Sequence, residues 1–125
     1  MLANARAYNG FAVDDLEKAR DFYESSLGLR TTVVDEGNLM TLHLPGDRDT
    51  LVYVSPRYAP APYTILNFEV EDIEATVDEL SSRGVTFEHY DGMQQDDKGV
   101  MREGGPFIAW FKDPAGNILS VLQNR

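Results

Sequence analysis

Apolar and polar positions alternate along residues 8–13, which predicts a β-strand. Phe11 and Val13 lie on one side of it, Tyr8, Gly10 and Ala12 on the other. The period then changes: Leu16, Ala19, Phe22, Tyr23 and Leu27 recur at helical spacing and predict an amphipathic helix. Asp14 or Asp15 is its N-cap, and Asp14 with Glu17 has the spacing of a capping box. Gly28 is placed to close the helix in a left-handed conformation. Three strands follow. Residues 29–35 are rich in β-branched side chains, residues 39–44 set Thr41 and His43 against Met40, Leu42 and Leu44, and residues 51–55 form the last. Glu36-Gly37-Asn38 and Pro45-Gly46-Asp47 are turn chemistry between them.

The same plan returns after a proline-rich segment, residues 56–62, which fits neither a central strand nor a helix interior. Residues 63–70 read as a strand. Asp72 caps a helix carrying Ile73, Val77 and Leu80, and Gly84 closes it. Residues 85–90 read as a strand, residues 91–105 as a long polar loop of the kind that can form a lid, and residues 106–112 and 117–123 as two strands. Asp113-Pro114-Ala115-Gly116 is the turn joining them. Phe11, Val13, Asp15, Leu16 and Glu17 are answered in register by Phe68, Val70, Asp72, Ile73 and Glu74, a repeat of about 57 residues. The expectation is a single domain over residues 1–125, with module one at 1–55, a linker at 56–62 and module two at 63–125.

Composition narrows the partners. The 125 residues include 21 acidic and 11 basic side chains, a formal charge of −10, which disfavours nucleic acid and anionic membrane surfaces. A cationic ligand is favoured by the same surplus. The chain has no cysteine, which removes disulfides, thiolate metal sites and thiol nucleophiles. The first residues lack the apolar core of a signal peptide, and no apolar run approaches a membrane span. Cytoplasmic residence is the expectation.

Residues 13–23, Leu27-Gly28-Leu29 and Phe111-Lys112-Asp113-Pro114-Ala115-Gly116-Asn117 give the chain its resemblance to the vicinal oxygen chelate superfamily. That group includes glyoxalase I, extradiol dioxygenases and bleomycin-resistance proteins. The resemblance implies an α+β fold of two βαβββ modules in tandem, their curled mixed sheets enclosing a concave cavity, and a homodimer. It also implies four inward strand positions where metal-using members carry His, Gln or Glu. Here those positions hold Tyr8, Ile65 and Ser120, with the fourth at or near Tyr53. Ile65 cannot ligate, and serine and neutral tyrosine are poor ligands for a divalent ion. No metal, no cofactor and no catalytic residue are therefore expected. His43 and His89, the only histidines, lie outside those positions.

Side-chain alternation instead gives an aromatic-lined hollow with polar handles, and the expected ligand-binding residues are Tyr8, Tyr53, Asn67, Trp110 and Ser120. The leading expectation is a metal-free protein resembling bleomycin-resistance proteins, which sequesters or carries a small aromatic or cationic molecule. The alternative is a glyoxalase- or dioxygenase-like enzyme with atypical metal ligands, or one using Tyr8, Tyr53 or Glu69 for proton transfer.

Overall fold

The computed structural model describes residues 1–34 and 37–125. The expected strand end at Asp35 and the expected turn residue Glu36 lie outside the described residues. The chain divides into two compact units, Met1–Ala59 and Pro60–Arg125, and the division falls inside the proline-rich segment.

The first unit runs β1 (Asn9–Val13), α1 (Leu16–Asp21), β2 (Arg30–Val34), β3 (Leu39–Leu44) and β4 (Arg48–Val54). Its four-stranded sheet has the order β1-β4-β3-β2 and is mixed. β1 pairs parallel to β4, and the other two pairs are antiparallel. Of the helical stripe, Leu16, Ala19 and Tyr23 are buried with Phe11, Val13, Met40, Leu42 and Val52, while Phe22 and Leu27 are half-buried. The Tyr23 ring sits 5.9 Å from Phe11 and 5.3 Å from Phe22. α1 widens into π-helical turns over Phe22–Ser26 before Gly28 ends it at φ 73°. The N-cap is Asp15, whose carboxylate accepts from the Lys18 N–H at 3.1 Å. Glu17 thus falls in the second helical position rather than the third, and the Asp14–Glu17 capping box does not form.

The second unit runs β5 (Thr64–Glu69), α2 (Ile73–Ser82), β6 (Phe107–Lys112) and β7 (Ile118–Gln123). Asp72 caps α2 by accepting from the Ala75 N–H at 3.1 Å, which reproduces the Asp15 cap at the repeat spacing. Its sheet has the order β5-β7-β6, with β5 parallel to β7 and β6 antiparallel to it. Ile73, Val77 and Leu80 pack with Leu66, Phe87, Phe111, Leu119 and Val121. Among the described residues both sheets are open, with β1 and β2 as the outer strands of the first and β5 and β6 as those of the second. Neither closes within its own unit.

Residues 85–90 were expected to form a full strand but make only a single bridge, Phe87 to Phe111, extended by the Glu88 N–H bonding to the Trp110 carbonyl. The ladder stops because other groups take its next positions. Ile108 exchanges both backbone bonds with Met101, at 2.8 and 3.0 Å. The Gln95 side chain accepts from the Tyr90 N–H at 2.7 Å and donates to the carbonyls of Glu88 and Gly99 at 2.9 and 2.8 Å. The expected lid at 91–105 is therefore stitched to the sheet. Asp96 adds to this by accepting from the N–H groups of Lys98 and Val100 and from Arg102. Burial alone would raise the Asp96 carboxyl, but these donors leave it below its ordinary value.

The Asp113–Gly116 turn buries Asp113 and Ala115 and leaves Pro114 exposed. Asp113 accepts from the Asn117 backbone at 2.8 Å and from its side-chain amide at 3.2 Å, while Asn117 accepts from the Ala61 N–H.

Candidate functional site

In each unit one sheet face packs under the helix, and strand alternation sends every second side chain to the opposite face. In the second unit, Asn67 pairs with Ser120 across β5 and β7, and Ser120 pairs with Trp110 across β7 and β6. Three expected residues thus form one row. The adjacent row is Glu69, Leu122 and Ile108. Ser120 is the smallest member and fully buried, so it lies beneath the surface of the row between an amide and an indole. Its hydroxyl donates to Asn67 Oδ1 at 2.5 Å. That bond satisfies the buried hydroxyl and leaves the Asn67 amino group as a donor toward the exposed side. The Tyr90 ring meets Trp110 edge to face at 5.7 Å. Burial, reinforced by the charge on Glu88, raises the Tyr90 phenol above its ordinary value, so it stays neutral and can donate.

Sequence reasoning missed Tyr90, although the signal was there: it shares strand parity with Trp110, opposite to Phe87 and Phe111. The register of the row depends on a bulge between Thr64 and Leu66 that gives Ile65 no direct partner. Alternation alone does not reveal that bulge.

The other two expected residues stand in the first unit. Tyr53 pairs with Ala12 and Leu39 and is 39% exposed. Its ring passes over Gly10, where an added Cβ would meet Tyr53 Cε1 at 3.7 Å and the Leu51 carbonyl oxygen at 3.1 Å. Tyr8 lies one residue ahead of β1 and is 59% exposed. With Arg6, Thr41, Asp49, Thr50 and Leu51 it lines a hollow of about 170 Å³. Arg6 is held over the Tyr8 ring at 5.8 Å by its ion pair with Asp49 at 2.7 Å. Asp49 also accepts from His43 Nδ1 at 3.1 Å. The Arg6 hydrogen bond first, then that of His43, hold the Asp49 carboxyl below its ordinary value.

The positions where the resemblance places metal ligands do not suit a resident divalent ion. Ile65 offers no donor atom, and the Ser120 hydroxyl is committed to Asn67. Among the described residues, no three His, Asp or Glu side chains converge as a ligand set. No helix among the described residues is long and apolar enough to cross a membrane.

Two repeated modules, each pairing its first strand in parallel with its last and exposing aromatic and polar side chains opposite its helix, define a scaffold of the vicinal oxygen chelate class. The sequence pattern of the Glyoxalase/Bleomycin resistance protein/Dioxygenase superfamily matches residues 7–121, and the chain belongs to that superfamily. It is 27% identical over 126 residues to the uncharacterised protein YraH of Bacillus subtilis (strain 168), covering 89% of this chain and 91% of YraH. Among solved structures, the antibiotic-binding protein TnmS3 from Streptomyces sp. CB03234 matches with a TM-score of 0.65 at 22% identity, over 98% of both chains. A lactoylglutathione lyase from Agrobacterium tumefaciens matches with a TM-score of 0.62 at 23% identity, over 95% of this chain and 93% of its own. At such identities the likeness is one of fold. That fold serves a binder in one case and a lyase in the other, so function rests on the site.

Proposed function

We propose that this is a small-molecule-binding protein of the resistance-protein kind, which sequesters or carries a small aromatic or cationic ligand without a resident metal. The observation that carries this reading is the row Asn67, Ser120 and Trp110. It combines a stacking surface, a polar donor held in place by a buried hydroxyl and, one row away, the Glu69 carboxylate. Trp110 and Glu69 suit an aromatic cation through ring stacking, cation–π attraction and charge. Tyr8 and Tyr53 supply further aromatic surface on the first unit's sheet. We take the chain to be one functional domain of two modules that works as a cytoplasmic homodimer.

The test is native mass spectrometry with metal analysis, followed by titration. A metal-free dimer, with or without an organic adduct, supports the reading. One stoichiometric divalent ion per chain overturns it. Trp110 is the only tryptophan, so its fluorescence reports the row directly. Benzyltrimethylammonium should quench it at lower concentration than benzenesulfonate, and Trp110→Ala, which lacks the fluorophore and is followed by titration calorimetry, should bind neither probe while keeping its melting temperature. Equal response to the two probes refutes the charge preference.

A further inference from the structure

On the face of the first unit opposite its helix, three side chains from three strands form a continuous hydrogen-bonded chain. Thr32 Oγ1 on β2 lies 2.8 Å from His43 Nε2 on β3, and His43 Nδ1 lies 3.1 Å from Asp49 Oδ1 on β4. The register explains the meeting. His43 pairs directly with Asp49, while Thr32 pairs with Thr41, two residues before His43 and on the same face. Arg6 binds the second Asp49 oxygen at 2.7 Å and keeps the carboxyl ionised. An ionised Asp49 only accepts, so His43 Nδ1 carries a proton, and in the neutral imidazole Nε2 is then the acceptor of the Thr32 hydroxyl proton. A hydroxyl within reach of a base, with that base oriented by a third group, is the signature of an activated nucleophile.

We propose that Thr32, His43 and Asp49 form a second chemical site, an acyl-transfer relay that accepts activated esters of small carboxylic acids. This site owes nothing to the ligand row of the second unit and stands or falls separately from it. Thr32 Oγ bonds to the ester carbonyl carbon while His43 Nε2 takes its proton and the carbonyl π pair moves to oxygen. Collapse of that adduct breaks the bond to the leaving alcohol, which departs with the proton from His43. Water then attacks the Thr32 ester, His43 takes a proton from that water, and the hydroxyl is regenerated as the free acid leaves. Asp49 is a positioning residue: it fixes the imidazole tautomer. Arg30 on β2 pairs with His43 and shares the face of Thr32, two residues away, so a cationic side chain starts beside the hydroxyl. Thr32 is exposed, so an ester reaches it from solvent.

The experiment treats the full chain with p-nitrophenyl acetate and follows nitrophenolate release, intact mass and the site of acetylation. One acetyl group on Thr32 is the expected result. His43→Gln should slow it by about 100-fold, the scale of a lost general base. Thr32→Ser should retain acetylation at that position and Thr32→Val should abolish it. Asp49→Asn should slow acylation by about tenfold and change the nitrogen chemical shifts of His43 as the tautomer is released, a readout that a purely structural role would leave unmoved. Acetylation confined to lysines or to His43 itself, an unchanged rate in His43→Gln, or neither acetylation of Thr32 nor nitrophenolate release that depends on Thr32 overturns the proposal.

Discussion

Replacing Gln95 with alanine tests whether the 91–105 segment is held by one side chain. Gln95 makes three hydrogen bonds, from the Tyr90 N–H and to the carbonyls of Glu88 and Gly99, at 2.7 to 2.9 Å. At about 1 kcal/mol net for each bond the sum is about 3 kcal/mol. The site is half-buried, so water recovers part of this, and a loss of about 2 kcal/mol is expected. For a chain of this size that corresponds to a fall in melting temperature of about 8 °C. Urea denaturation followed through Trp110 gives stability and local structure in one experiment. Gln95 fixes the backbone at Tyr90, whose ring lies against Trp110, so the native emission of Trp110 should also shift. Gln95→Glu isolates the donors. It can still accept from Tyr90 but turns a carboxylate toward two carbonyls, and it should be at least as destabilising as alanine. A loss under about 0.5 kcal/mol in Gln95→Ala with unchanged emission would refute the assignment, since this is the range of ordinary surface substitutions.

The remaining predictions concern charge and turn chemistry. The folded-state carboxyl of Asp49 sits below its ordinary value of 3.8, so its contribution is fully present above that value and is lost as pH falls through the lower folded value. Stability measured from pH 6 downward should therefore decline less steeply in Asp49→Asn. Tyr90 shifts the other way: its stabilising contribution is present below the ordinary value of 10.0 and is lost as pH rises through the higher folded value. Tyr90→Phe should flatten the alkaline limb of the same curve. Asn117→Ala removes the side-chain donor to the buried Asp113 carboxylate and an acceptor from the Ala61 N–H, while the backbone donor stays. A loss of about 2 to 3 kcal/mol in urea denaturation is expected, and no change would place those groups in contact with water.

Local chemistry made much of the fold legible. The Asp15 and Asp72 caps, the helical stripes and the Asp113–Gly116 turn depend on neighbours in sequence, and each formed. Alternation placed Tyr53, Asn67, Trp110 and Ser120 on the faces away from the helices. The failures in the sheets share one cause, which is that register is a tertiary quantity. The bulge at Ile65 decides what Asn67 faces, and the competition of Met101 for Ile108 ends the strand expected at 85–90. The Thr32, His43 and Asp49 chain needs two strand pairings at once, so no spacing in the sequence announces it. Asp14 against Asp15 was a contest between adjacent residues, settled by which carboxylate reaches an N–H.

The parallel pairing of first and last strands governs the order in which the chain can be completed during synthesis. β1 cannot take its place until β4 exists: Asn9 and Thr50, joined by a 2.8 Å hydrogen bond, are 41 residues apart. β5 waits longer, because Asn67 and Ser120 are 53 residues apart. The added closure entropy of the longer loop is only a few tenths of a kcal/mol, so the difference is one of timing rather than stability. On the ribosome, β1 has its partner once β4 has emerged. The side of β5 that faces β7, and with it the row that carries Trp110, stays unpaired until β7 emerges, which leaves it exposed to wrong partners for longer than β1.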